Sequence, residues 1–297
     1  MSAHAGPAGL LARRVADDPS SPLVTFYDDA TGERVELSAR TFDNWVAKTA
    51  NFLVDGLAAE PGTRVVLVLP PHWQTAVWLM ACWSAGLVAE PVDPETIRTG
   101  TSPSEPFDTS SPYSSGGATP HTPRNDPYIL AVAQEVLDDV IADGAAAASG
   151  AEEVIGLSLH ALGGPLADCP PGVTDYAVEV RAYGDRFAPG PGVTPEAPAL
   201  NVTKTTFTAA ELVEAARSAV EKWSLDARDR LLVDMSFTTV DGVLTGLLAP
   251  LTSGASVIIQ RNFNKDVLER RITLEHVTVV AGPPGRNDPT GSPRRLP

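Results

Sequence analysis

The sequence predicts an α/β protein: two layered units with mainly parallel sheets. Three observations carry that expectation. Helix and strand signals alternate between residues 38 and 91, Arg64–Leu69 is apolar on what would be both faces of a strand, and the alternation returns between 208 and 281. Strands that read as unbroken apolar runs belong to sheets covered by helices on both sides. Alternation at this spacing is the pattern of layered, Rossmann-like units.

Taken in order, Ser38 is placed to cap a helix carrying Phe42, Trp45, Val46, Thr49 and Leu53, closed by Gly56 and Pro61-Gly62. Arg64–Leu69 is a strand ended by Pro70-Pro71. A second helix, His72 to Ala85, lines up Trp73, Val77, Met80, Ala81 and Ser84 along one side and stops at Gly86; Leu87–Pro91 reads as the next strand. From 96 to 127, Ser, Thr, Pro and Gly fill 21 of the 32 positions, leaving too few aliphatic side chains to offset the entropy of ordering. This stretch is expected to be a disordered insertion.

Beyond it, Tyr128–Val132 reads as a strand, Val136–Ile141 as a helix and Glu153–Leu159 as a strand. Tyr176–Val180 is a short strand-like run within Pro/Gly-rich loops at 163–198. Thr208 and Glu211 form a capping box ahead of an apolar stripe at Leu212, Ala216, Val220 and Trp223. Arg230–Asp234 is a strand, Gly242–Leu251 a helix ended near Pro250, and Ala255–Ile259 a buried strand. Asn264 can cap a helix carrying Val267, Leu268 and Ile272, and Val277–Ala281 is the last strand. The expected organisation is the first half of one subdomain at 1–95, the insertion at 96–127, the rest of that subdomain with its loops at 128–197, a second α/β subdomain at 198–284 and a disordered tail at 285–297.

A formal charge of −15 and a pI near 4.7 argue against a nucleic-acid partner, which needs a basic face, and against an anionic membrane surface. Cys82 and Cys169 are the two cysteines, at no metal or redox spacing, so a reducing compartment is expected. The five histidines form no ligand cluster, and no metal site is expected. The longest apolar stretch, Ala76–Cys82, is too short to span a bilayer. With no secretory signal pattern at the N-terminus, the expected location is the cytoplasm.

Several segments together resemble the AMP-dependent synthetase and ligase superfamily, the acyl-CoA synthetases and their relatives. Pro22–Phe26 looks like the family's opening strand, and Leu37-Ser38 with Trp45, Ala50-Asn51 and Leu53 is similar to its first helix. Pro61–Val65 through Leu69-Pro70, then Ala85-Gly86 and Pro91–Pro94, match the segments that follow. Asp229–Leu232, Ala249–Leu251, Gly254–Val257 and Val277-Thr278 with Pro283-Pro284 resemble its second subdomain. The likeness is to short, actinobacterial-type proteins that keep the N-terminal part of that fold. It implies the two-subdomain architecture of the N-terminal domain of adenylate-forming enzymes.

The resemblance also implies chemistry. Adenylation joins a carboxylate to the α-phosphate of ATP with Mg²⁺, the phosphates held by backbone N–H groups of a glycine-rich loop. In the family that loop reads Tyr-Thr-Ser-Gly-Thr-Thr-Gly-x-Pro-Lys-Gly. The equivalent stretch here, Ala199–Phe207, has hydroxyls and Lys204 but no glycine to let backbone approach a phosphate. Thr203, Lys204, Thr205 and Thr206 are the candidate residual anion site, against the alternative of a polar turn leading to the Thr208 cap. Tyr113–Pro120 imitates the start of the loop, but in a low-complexity setting with no strand before it and no helix after it.

The family also places a histidine beside its acyl pocket. Alignment on Gly242 puts Thr239 there, making Phe237, Thr239, Asp241 and Gly242 the candidate substrate contacts. After Pro284 no room is expected for the family's ribose motif, hinge and lysine-bearing C-terminal domain.

No other constellation fills the gap. Asp138-Asp139 and Glu152-Glu153 read as solvated acids, Ser158–His160 as a strand end without a nucleophile elbow, and Gly190–Gly192 as loop. Arg261, Arg270 and Arg271 read as solvated helix charges. No catalytic residue is assigned, and ATP and Mg²⁺ are expected only if activity is retained. The expected function is that of a degenerate, truncated relative unable to adenylate alone. The alternatives are an acyl-CoA synthetase activating a carboxylic acid with ATP, through an unusual phosphate grip or a separate chain supplying the lost half, and a non-catalytic acyl-ligand or regulatory binding module, with a small carboxylic acid as the possible ligand. The sequence identifies no protein partner.

Overall fold

The computed structural model describes residues 6–98, 119–120, 127–142, 150–283 and 293–296. In chain order its elements are α1 (Pro7–Asp17), β1 (Pro22–Asp28), β2 (Glu33–Ser38), α2 (Ala39–Asn51), β3 (Arg64–Val68), α3 (Trp73–Ala85), β4 (Val88–Val92), α4 (Pro94–Arg98) and β5 (Thr119–Pro120). Next come β6 (Tyr128–Ala133), α5 (Gln134–Ile141), β7 (Ala151–Leu157), β8 (Val173–Asp175), α6 (Tyr176–Glu179), β9 (Pro198–Val202) and β10 (Thr205–Thr208). The last group is α7 (Ala209–Trp223), β11 (Arg230–Val233), α8 (Val240–Val243), α9 (Ala249–Ser253), β12 (Ser256–Arg261), α10 (Leu268–Leu274), β13 (Val279–Ala281) and β14 (Arg294–Arg295).

The mixed α/β class with mostly parallel sheets is as expected. One sheet runs β5-β10-β9-β4-β3-β6-β7-β8, and the other β14-β13-β11-β12-β1-β2. Sheet membership does not follow the division at 1–95 and 198–284. The opening strand β1 lies parallel to β12 in the second sheet, and β9 and β10 join the first. The chain crosses between sheets because α2 and α3 lie between them: both touch β1, and α3 also touches β4.

That middle layer explains α3. All thirteen of its residues are buried, not one stripe, as a helix enclosed on every side requires. Its Trp78 is fully buried beside Phe52 and Tyr176. Gly86, at φ +74°, ends it in the left-handed conformation that glycine takes without a Cβ clash. The second sheet is also buried on both faces. Val24, Phe26, Leu231, Val233, Val257 and Ile259 face the central core, while Leu232 and Ile258 alternate outward to meet Leu268 and Ile272 of α10.

The local start signals hold. Ser38 accepts from the Thr41 N–H at 3.1 Å, and the Thr208–Glu211 box is closed in both directions. Three other expectations change. Tyr176–Glu179 is a helical turn and not a strand, because the Asp175 carboxylate accepts the N–H groups of Ala177 and Val178 and caps it. The helix from Val240 does not stop at Pro250: a π-helical turn at Leu244–Leu248 absorbs the missing proline donor, and Gly254 at φ +84° ends the helix. The tail is not wholly irregular, since β14 pairs in parallel with β13.

The expected insertion at 96–127 lies largely outside the described residues. Of its described part, Thr96–Arg98 end α4 and Thr119–Pro120 pair with β10.

Candidate functional site

Layered α/β sheets present their ligand crevices at the carboxyl ends of parallel strands. Two loops from the resemblance start at such ends, one after β9 and one after β11.

The first is short. β9 and β10 are joined by Thr203 and Lys204 alone, at φ +48° and +64°, with Val202 paired to Thr205. Two consecutive left-handed residues make a type I′ hairpin turn, whose twist matches that of the strands it joins. Thr203 and Lys204 are exposed, and Thr205 and Thr206 half-buried. The four candidate anion contacts are therefore contiguous, but the last two belong to a strand. Thr206 donates its hydroxyl proton to the Asn201 side-chain oxygen at 2.8 Å, and Asn201 donates to Glu90 at 3.2 Å. Thr205 and Thr206 also pair with Pro120 and Thr119. Thus the end of the loop-like Tyr113–Pro120 segment lies beside this hairpin; its other residues fall outside those described.

The second loop, Asp234–Thr239, is packed against the helix it leads into. Phe237 is buried with its ring against Gly246, where a Cβ would meet Phe237 Cε1 at 2.8 Å. Thr239 caps α8 by accepting from the Gly242 N–H at 3.1 Å. Gly242 sits against the Ser236 carbonyl oxygen so closely that a Cβ would collide with it. Asp241 lies in the first turn of α8, half-buried. Phe237, Thr239 and Gly242 thus form one local joint, separate in sequence and in sheet from the β9–β10 hairpin.

A third cluster, not anticipated from the sequence, occupies the carboxyl ends of β1, β3, β6 and β12. His72 follows β3 and is 1% exposed. Its Nδ1 accepts from the Gln74 N–H at 3.1 Å, and its Nε2 faces Glu33 Oε1 at 4.0 Å. The Phe26 ring lies edge-on at 4.2 Å. Burial pushes the His72 pKa down, and nearby Arg261 adds to that, while Glu33 and Asp28 oppose it. Arg261, at the end of β12, pairs with Glu135 of α5 and stands 3.9 Å from Asp28, which also accepts from Asn262 at 2.9 Å.

Arg261 is therefore not a solvated helix charge. Neither is Arg271, which is 7% exposed and pairs with Asp29 and Gln260; Arg270 alone of the three is exposed. A sequence signal for this cluster did exist: a histidine directly before a helix and after a strand that ends in two prolines. Its partners come from four separate elements, which no local pattern links.

The remaining sequence candidates are structural. Asp138, Asp139, Glu152 and Glu153 are exposed. Ser158 donates to the Gly164 carbonyl at 2.6 Å and accepts from the His160 N–H, so it closes a turn. On the other face of the second sheet, Glu275 gathers Arg34, Arg230 and Tyr27. Burial raises the Glu275 pKa, but these three donors outweigh it and hold the carboxyl near 2.

The comparisons with known proteins agree with this architecture. The family model for an AMP-binding enzyme matches residues 11–100. A Mycobacterium tuberculosis protein named "TIGR03089 family protein" is 38% identical over 264 residues, covering 89% of this chain and 92% of its own length. The solved acyl-CoA synthetase of Brucella canis superposes with a TM-score of 0.69 at 15% identity, over 94% of this chain and 47% of that one. An anthranilate CoA ligase in complex with anthranoyl-AMP gives 0.68 at 14% identity, over 93% and 49%. A benzoate CoA ligase of Burkholderia xenovorans gives 0.67 at 16% identity, over 95% and 50%. The chain thus spans about half the length of the solved ligases and nearly all of the mycobacterial relative. No helix among the described residues is long and apolar enough to cross a membrane. Identity and coverage at this level show that the chain belongs to the family of that mycobacterial protein.

Proposed function

We propose that this chain uses the sandwich of an adenylate-forming ligase as a scaffold and does not by itself join a carboxylate to the α-phosphate of ATP. The observation that carries this reading is the two-residue turn between β9 and β10, at the position the resemblance gives to the phosphate loop. A phosphate cradle needs several consecutive N–H groups turned toward one point. Here the flanking residues Val202 and Thr205 pair with each other. A single exposed lysine remains at the tip. These residues do not fit a triphosphate.

The ligand class favoured for the rest of the crevice is a small carboxylic acid, because the anthranilate ligase that shares the fold binds anthranoyl-AMP. The acidic charge disfavours nucleic acid. Two unpaired cysteines, one exposed, suit a reducing compartment such as the cytoplasm. The test is acid-dependent exchange of pyrophosphate into ATP over a panel of aliphatic and aromatic acids, with thermal shifts recorded alongside. The expected result is no exchange, with any stabilisation coming from acids and none from ATP. Exchange above background for any acid would overturn the proposal and restore the synthetase reading.

A further inference from the structure

His72 is the one fully buried histidine among the described residues, and its two ring nitrogens are differently engaged. Nδ1 accepts the Gln74 N–H at the start of α3, so it carries no proton and the neutral ring is protonated at Nε2. Nε2 points toward Glu33 Oε1 at 4.0 Å, beyond hydrogen-bond reach, and neither atom has another protein partner. The ring also touches Phe26 of β1 and Trp73 of α3. His72 therefore connects the first turn of the central helix to the β1–β2 hairpin. The charged groups around it are Glu33 on β2, Asp28 on β1 and Arg261 on β12, the last also held by Glu135 of α5.

We propose that His72 is a proton-responsive pin between the central helix and the second sheet, closed when the ring is neutral and released when it is protonated. A proton on Nδ1 removes the acceptor from the Gln74 N–H, leaving a helix-start donor without its cap. It also places a cation in a site that excludes water. Glu33 and Asp28 offset part of that cost and Arg261 adds to it; burial is the largest contribution, so the neutral form is favoured.

The sign follows. A histidine whose folded pKa lies below its unfolded value near 6.5 stabilises the protein fully above that value. The stabilisation is lost as pH falls from about 6.5 toward the folded pKa, because the unfolded chain binds the proton first. Within that window one such group changes the folded-to-unfolded ratio by up to about tenfold per pH unit.

The test compares urea midpoints of the full chain from about pH 8 to pH 5 with those of His72→Asn, which keeps a side-chain cap acceptor without a titrating ring. The imidazole of the wild-type protein is followed by NMR over the same range. The parent should lose stability below about pH 6.5, His72→Asn should lack that component, and the His72 ring should titrate below 6.5. Glu33→Gln removes a charge that favours the imidazolium and should move the ring titration lower still. If His72→Asn does not fold, the ring titration in the parent and in Glu33→Gln decides. An equal pH slope in parent and His72→Asn, or a ring titrating at or above 6.5, would overturn the proposal.

Discussion

Two strand ends of the same sheet have opposite fates. β3 runs through Pro70-Pro71 into His72 and α3, and every side chain that follows is enclosed between the sheets. β9 ends at Val202, and two residues later the chain has already turned back in solvent. The first leads into a helix buried along its whole length, and the second into an exposed two-residue turn. The enclosed centre of the fold and the exposed turn after β9 are thus separable parts of one sheet. The sharpest way to break the first side of this contrast is Trp78→Ala. A fully buried tryptophan replaced by alanine loses its contacts and leaves a cavity, so the expected destabilisation is about 3–5 kcal/mol. It is read from urea or thermal unfolding. A loss below about 1 kcal/mol would mean that α3 is not the packed centre of the fold.

The joint after β11 should respond next. Gly242→Ala drives a methyl into the Ser236 carbonyl, a backbone atom that cannot rotate away. Alanine favours a helix by about 1 kcal/mol over glycine, so a net loss of about 1–3 kcal/mol requires the collision to dominate. Unchanged or improved stability would show that the loop yields.

Glu275→Gln tests the charged network on the far face of the second sheet. Losing a carboxylate shared by two arginines should cost about 1–2 kcal/mol at neutral pH, the lower end because Arg34 is partly exposed. Because the Glu275 pKa is depressed to about 2, its contribution is present above the unfolded glutamate value of about 4.3 and disappears as pH falls through about 2. The variant should lack that acid component while keeping the one assigned to His72, which lies at higher pH. Merging of the two windows would indicate that the networks are coupled.

What could be read from the sequence follows from how local each signal is. The Ser38 cap, the Thr208–Glu211 box and the Gly86 stop are decided within one turn of chain, and each is found where it was expected. The apolar run Arg64–Leu69 also announced a strand covered on both sides. The partner of β1 was not legible, because β12 lies more than two hundred residues away and nothing in Pro22–Asp28 encodes which sheet it joins. Tyr176–Glu179 has apolar residues at strand-like spacing, but the Asp175 carboxylate supplies a helix cap, a side-chain contact that the pattern does not register. Pro250 read as a stop because proline lacks a donor; a π-helical turn before it is a tertiary accommodation. At the site, the missing glycines were visible, but the closure of Thr203-Lys204 into a two-residue turn was not. The His72 cluster escaped because burial, not spacing, gives that residue its chemistry.

The second strand end is best tested by making it a better turn. Thr203 is β-branched and Lys204 is long, yet both stand at positive φ, where side chains of either kind are disfavoured. Type I′ turns prefer asparagine followed by glycine for this reason. If the β9–β10 connection serves only to reverse the chain, replacing the pair by Thr203→Asn with Lys204→Gly should relieve strain and stabilise the protein by roughly 0.5–1 kcal/mol. Acid-induced thermal shifts should be unaffected. If instead Thr203 and Lys204 form a residual anion site, the strain is retained for binding, and the double variant should gain stability while losing any shift produced by phosphate or ATP. Comparing the two proteins with and without inorganic phosphate separates these outcomes, because only a binding role links the strained backbone to the anion.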